Sequence, residues 1–156
     1  MAIAEVRAYF RQFGMEDRVL ELEESSATVE LAAQALGCEP GKIAKSLSFL
    51  VQEKPILILT AGDEKIDNKK YKARFGTKAR MLTPEEALTL IGHPVGGVCP
   101  FAVREGVTVY LDVSLRRFET VFPACGSGNS AIELNMEELE RYSNSVEWVN
   151  VCKERI

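Results

Sequence analysis

The stretch Ile43-Ala44-Lys45-Ser46-Leu47-Ser48-Phe49-Leu50-Val51, followed after Gln52-Glu53-Lys54-Pro55 by Ile56-Leu57-Ile58-Leu59-Thr60-Ala61-Gly62, decides the fold. Two apolar runs joined by a short polar turn read as a hairpin in the middle of a sheet. Strand side chains alternate between faces, so Ile43, Lys45, Leu47, Phe49 and Val51 share one face and Ala44, Ser46, Ser48 and Leu50 the other. Lys45 thus falls on the more apolar face. Taking an ammonium out of water is costly unless it finds a carboxylate, carbonyl oxygens or an anionic ligand. This placement predicts a pocket at Lys45, with Leu47 and Phe49 lining or flooring it. The alternative is that Lys45 lies near the strand end and its aliphatic stem carries the ammonium to water.

Upstream of this hairpin, Ile3, Val6, Tyr9, Phe10 and Phe13 recur at helical spacing, which predicts an amphipathic helix over 2–13 ended by Gly14. Residues 18–23 alternate as a short strand, and Thr28 caps a helix that stops at Gly37. Downstream, Asp67 caps a basic helix ending near Gly76. Thr83-Pro84-Glu85-Glu86 forms a capping box with proline at the first helical position, opening a helix through Ala87, Leu88 and Ile91. The segment 92–101, with Gly92, Gly96, Gly97, Pro94 and Pro100, is too rich in breakers to be regular. Strands are predicted over 107–112, 118–123, 130–134 and 146–151, with a second glycine loop at 125–129 and a short helix opened by Asn135 and Glu138. Strands and helices mix without a regular βαβ rhythm. The expected class is α+β, a mixed, partly closed sheet surrounded by helices, in one domain spanning 1–156.

Composition narrows the function classes. An apolar fraction of 46% and a charged fraction of 27% are ordinary for a globular protein, and no apolar run approaches the roughly 20 residues needed to cross a bilayer. No secretory signal is visible at the start, which predicts a cytoplasmic address and no membrane partner. Cys38, Cys99, Cys125 and Cys152 form no C-x-x-C pair and there is one histidine, His93, so neither a zinc site nor a disulfide framework is expected. Cys99 and Cys125, in the two glycine loops, are the candidates for thiol chemistry, against the commoner fate of buried, inert cysteine. The net charge of −4 hides an asymmetry. Seven of the nineteen basic residues, Lys69, Lys70, Lys72 and Arg74 among them, lie between Lys65 and Arg80 with only Asp67 opposing them. Such a patch on an otherwise acidic body suits a phosphate backbone, or is a solvated helix face.

Neither glycine loop has the spacing of a P-loop or a dinucleotide fingerprint, and a triad would have to use His93 as its base. What remains is a pocket with a desolvated lysine and two loops able to present backbone N–H groups. Those parts stabilise developing negative charge on a carbonyl oxygen and would suit ester hydrolysis with water or a substrate hydroxyl as the attacker; they would equally hold a small anion without turning it over.

Three features in order, Ile43-Ala44-Lys45-Ser46-Leu47, Gly96-Gly97-Val98-Cys99-Pro100-Phe101, and the Gly126 loop before Ile132-Glu133-Leu134, resemble the YbaK/EbsC/ProX group of aminoacyl-tRNA editing domains, related to the insertion domain of bacterial prolyl-tRNA synthetase. The resemblance runs through nearly the whole chain. It implies trans-editing: removal of a small amino acid such as Cys, Ala or Ser from mischarged tRNA, tRNA(Pro) being one candidate, by substrate-assisted hydrolysis without metal or cofactor. Lys45 would act at the substrate, Gly96, Gly97 and Pro100 in one pocket-lining loop, and Gly126, Ser127 and Gly128 on the opposite wall. Lys69, Lys70, Lys72 and Arg74 would meet tRNA phosphates, and a synthetase is a further partner. The chain departs from the group's pattern at Cys99, where serine is common, at Ala102, where a glycine often follows, and after Cys125, where it reads Gly-Ser-Gly-Asn-Ser rather than Arg-Gly.

Overall fold

The computed structural model describes residues 2–154. Helix α1 (Ala2–Arg11) ends before Gly14, whose φ of +69° only glycine adopts freely. A single 3-10 turn at Glu16–Arg18 precedes β1 (Leu20–Glu21), so the strand expected over 18–23 shrinks to two residues. Helix α2 (Val29–Leu36) opens on the Thr28 hydroxyl, which accepts from the Leu31 N–H at 3.2 Å, and closes on Gly37 in the left-handed conformation.

Strands β2 (Ile43–Val51) and β3 (Lys54–Ala61) form the expected antiparallel hairpin, with Leu47 opposite Ile58. The turn is tighter than its sequence suggests. Gln52 and Glu53 alone make it, at φ of +49° and +66°, while Lys54 and Pro55 already belong to β3. Helix α3 (Asn68–Phe75) is capped by the Asp67 carboxylate and ended by Gly76. The Thr83 capping box forms α4 (Pro84–Glu86), which widens at once into a π turn over Ala87–Ile91 closed by the Gly92 N–H on the Ala87 carbonyl.

Strands β4 (Thr108–Asp112) and β5 (Thr120–Pro123) follow. The strand expected over 130–134 is two strands serving different partners: β6 (Ser130–Ala131) pairs with β1, and β7 (Leu134–Asn135) pairs with β5. Between them the Ile132 N–H donates to the Pro123 carbonyl. Helix α5 (Met136–Ser143), opened by the Asn135–Glu138 capping box, and β8 (Glu147–Val149) complete the chain.

The main sheet runs β7-β5-β2-β3-β4-β8 and curls into a half-barrel. Only β2–β3 and β5–β7 are antiparallel; β2–β5, β3–β4 and β4–β8 are parallel. Both faces of its centre are covered. Leu57 and Leu59 pack with Val6, Phe10, Ile91, Phe101 and Leu139, whereas Ile56 and Ile58 pack with Phe49, Tyr71 and Val151. A central strand buried on both sides needs apolar residues at every position, which is why β3 shows no alternation.

Candidate active site

A cavity of about 270 Å³ opens where β2 is left unpaired on one edge. The β2–β5 register stops at Ala44–Pro123, and a second neighbour, the segment Arg80–Leu82, joins the same edge only from Ser48 onward. Ile43 to Ser46 and Ser48 line the cavity from β2, and Thr28, Val29 and Ala32 line it from α2. Its other walls include Pro84 and Ala87 of the α4 region, Val95, Gly96 and Val98 of the first glycine loop, and Ser130 and Ala131. Carboxylates are missing from this lining among the described residues, and Lys45 is its one basic residue.

Lys45 is half-buried, and its ammonium donates to the backbone carbonyl of Glu64. Burial pushes the lysine below its ordinary value of 10.5, with Cys152, Asp63, Glu64 and Glu30 pulling the other way. An ammonium has three N–H donors, so that carbonyl uses one.

Leu47 and Phe49 do not floor the cavity. Both pack against the Ile58–Tyr71 cluster under α3, and the residues that reach the cavity past Lys45 are Ser46 and Ser48 of the opposite alternation set. The expectation failed because it assumed one buried face. With both faces of β2 covered, apolar character does not say which one looks into the cavity.

Of the loop residues, Gly96 reaches the cavity, whereas Gly97, Pro100, Gly126, Ser127 and Gly128 stand behind its wall. The two glycine loops touch backbone to backbone. The Gly126 N–H donates to the Gly97 carbonyl at 3.0 Å, and a Cβ on Gly97 would run into the Ser127 nitrogen and, at 2.6 Å, the Gly126 carbonyl carbon. The second loop braces the cavity through neighbours: the Ser127 hydroxyl donates to Ser130 Oγ at 2.8 Å, and the Gly128 carbonyl accepts from the Ser26 N–H at 2.7 Å.

Two wall residues escaped sequence reasoning, Ser26 and Ser46. Their hydroxyl oxygens are buried without a hydrogen-bond partner among the described residues. The available signal was a serine pair, Ser46 and Ser48, inside a strand that is apolar on both faces apart from Lys45.

The two candidate thiols are held in their protonated form by burial. Cys99 and Cys125 are fully enclosed, and burial raises Cys99 to about 12 and Cys125 well above 9, so neither is a thiolate at neutral pH. No group of three His, Cys, Asp or Glu side chains able to hold a metal occurs among the described residues.

The basic helix is divided. Lys70 is turned onto the chain's last segment, donating to the Cys152 carbonyl at 2.8 Å and the Glu154 carboxylate at 2.7 Å. Arg74 pairs with Glu147 and lies over the Phe75 and Tyr110 rings. Lys69 and Lys72 are exposed and make no ion pair among the described residues.

Fold and cavity together define an α+β protein in which an unpaired stretch of strand edge opens onto a small cavity. The model of the aminoacyl-tRNA editing domain matches residues 23–142, and the chain belongs to that family. It is 56% identical to YwhH of Bacillus subtilis (strain 168) over 99% of both chains. It is also 37% identical over 90 residues to a proline–tRNA ligase of Aquifex aeolicus (strain VF5), 56% of this chain but 16% of that one. A crystal structure of a candidate trans-editing enzyme for prolyl-tRNA synthetase superposes with a TM-score of 0.88 at 29% identity, covering 98% of each chain. Among the described residues no helix is long and apolar enough to cross a membrane.

Proposed function

We propose that this protein hydrolyses the ester of mischarged aminoacyl-tRNA in trans, on substrates carrying a small amino acid such as Ala, Ser or Cys, with tRNA(Pro) as the carrier. The observation that carries this reading is that Lys45 and Gly96, far apart in sequence, meet at one small cavity in a chain of the editing-domain family. The size and the many alanines of the wall, Ala27, Ala32, Ala44, Ala87, Ala124 and Ala131, suit a short side chain. The relation to proline–tRNA ligase and to the candidate prolyl-tRNA trans-editing enzyme supports the choice of tRNA.

In this reading a water, positioned with help from the terminal ribose hydroxyl, adds to the ester carbonyl carbon. The bond from that carbon to the ribose oxygen breaks, the ribose oxygen takes the water's proton, and free amino acid and uncharged tRNA leave. Lys45, held by the Glu64 carbonyl, uses its remaining N–H donors on the negative charge that develops on the substrate. The Gly96 loop closes the site, and the loop at Gly126–Gly128 supports it from behind.

Deacylation of alanyl-, seryl- and cysteinyl-tRNA(Pro) by the protein and by Lys45→Ala tests this. The variant should lose about 10²- to 10³-fold in rate, the usual effect of removing one preorganised donor. Because the ammonium is the working form and burial lowers its titration, wild-type activity should fall as pH rises through a value below 10.5. Full activity in Lys45→Ala would refute the assignment. Charged tRNA bound but left intact, whatever its amino acid, would make the protein a holding module instead.

A further inference from the structure

The unpaired edge of β2 has a polarity of its own. The Leu50 N–H donates to the Arg80 carbonyl at 2.9 Å and the Ser48 carbonyl accepts from the Leu82 N–H at 3.1 Å. In an antiparallel pair a residue directs both of its backbone groups to the same side. The even-numbered residues of β2 therefore turn N–H and C=O away from β3, toward this edge. Ala44 meets β5 there and Ser48 meets the Arg80–Leu82 segment. Ser46 lies between them, where the edge has no neighbouring strand, and it lines the cavity.

The register thus turns the Ser46 N–H and C=O toward the cavity rather than toward another strand, and main-chain groups withdrawn from water rarely go unpaired in a folded protein. A second observation points the same way: among the described residues the Ser46 hydroxyl oxygen is buried without a partner, as is that of Ser26, which also lines the cavity. The cavity thus carries hydrogen-bonding capacity that the protein does not use. An aminoacyl ester offers an α-amino N–H donor and a carbonyl acceptor on one residue, which is the pattern one strand residue shows to another.

We propose that Ser46 reads the main-chain atoms of the aminoacyl group as an added strand residue would. Its N–H donates to the ester carbonyl oxygen and its C=O accepts from the α-amino group. This rests on the deacylase reading and deepens it, since an N–H on that oxygen both orients the ester and shares the charge that builds there. Recognition through backbone groups leaves the amino-acid side chain to be sorted by the rest of the wall.

Ser46→Pro deletes the N–H. That amide faces the open edge and serves no β2–β3 bond, so proline is compatible with the strand. Ser46→Ala keeps both backbone groups and removes only the hydroxyl. With alanyl-tRNA(Pro), kcat/KM of Ser46→Pro should fall at least tenfold below that of Ser46→Ala, with thermal unfolding confirming that both variants fold. Equal kcat/KM in the two would overturn the proposal. Should Ser46→Pro fail to fold, the wild-type protein decides through its substrate: propionyl-tRNA(Pro), which lacks the α-amino donor, should be hydrolysed about tenfold more slowly than alanyl-tRNA(Pro), and equal rates would overturn the proposal. If no ester is hydrolysed at all the deacylase reading fails, and calorimetry with 3′-alanylamino- and 3′-propionylamino-adenosine settles Ser46 separately. Tighter binding of the alanyl compound supports the edge pairing, and equal or absent binding of the two refutes it.

Discussion

His93 shows at the residue scale how a chemically able side chain can be wholly structural. Its ring is completely enclosed, and the Phe101 carbonyl 2.7 Å from Nε2 accepts a hydrogen bond, which puts the proton on that nitrogen. Nδ1 is buried without a hydrogen-bond partner among the described residues, so a second proton would place an N–H there with no acceptor among them. Burial accordingly holds His93 below its usual 6.5, with the Phe101 carbonyl pulling the other way. A histidine lowered in the folded state binds fewer protons than its unfolded counterpart. Its share of stability is therefore complete above pH 6.5 and is lost as pH falls from there toward the folded value, by at most about 1.4 kcal/mol per pH unit. In urea titrations at pH 7.5 and 5.5, wild type should lose more stability than His93→Gln, which keeps a donor near Nε2 but cannot titrate. Parallel pH profiles would show that His93 does not titrate differently on unfolding. Nothing in the sequence separates this buried histidine from a catalytic one, because a Gly/Pro loop suits both. Lys45 was legible for the opposite reason: a cation on the apolar face of a central strand has to be accounted for.

At the scale of elements, helix ends were the most readable features. The caps at Thr28, Asp67, Thr83 and Asn135 and the stops at Gly37 and Gly76 all form where the sequence places them, since each is a local hydrogen bond or a local φ requirement. Short strands read poorly. Residues 130–134 look like one strand and serve two sheets, because a two-residue pairing is chosen by distant neighbours rather than by local pattern. The glycine loops were legible as loops but not as partners. Their contact sets a prediction: Gly97→Ala drives a Cβ into the backbone of Gly126 and Ser127 and should cost about 1–3 kcal/mol, read as a shift in urea midpoint. At Gly128 the added Cβ meets only Ala27 Cβ, at an ordinary 3.5 Å, so Gly128→Ala should stay within about 0.5 kcal/mol of wild type. Similar losses in both would mean that the two loops are not in tight contact.

For the whole molecule, the placement of charge matters more than its sum of −4. The basic helix looked uniform in sequence, but Lys70 and Arg74 are tied to residues 152–154 and to β8, leaving Lys69 and Lys72 exposed and without an ion pair among the described residues. For tRNA docking on this face, each lysine that meets a phosphate should contribute about 1 to the slope of log K against log salt. Lys69→Ala with Lys72→Ala should reduce that slope by about 2 in filter-binding titrations, whereas Lys70→Ala should mainly lower stability. An unchanged slope in the double variant would move the tRNA contact elsewhere. The sequence by itself determined the α+β class, the central hairpin, the helix ends, the kinship with editing domains and the oddity of Lys45, because local hydrogen bonding and burial leave their mark in consecutive residues. Only the tertiary structure decided which face of β2 meets the cavity, which glycines brace rather than line it, and that Ser46 stands at a gap in the strand's edge. A gap of that kind is set by where β5 ends and where Arg80–Leu82 begins, and no pattern within 43–51 can encode the ends of its neighbours.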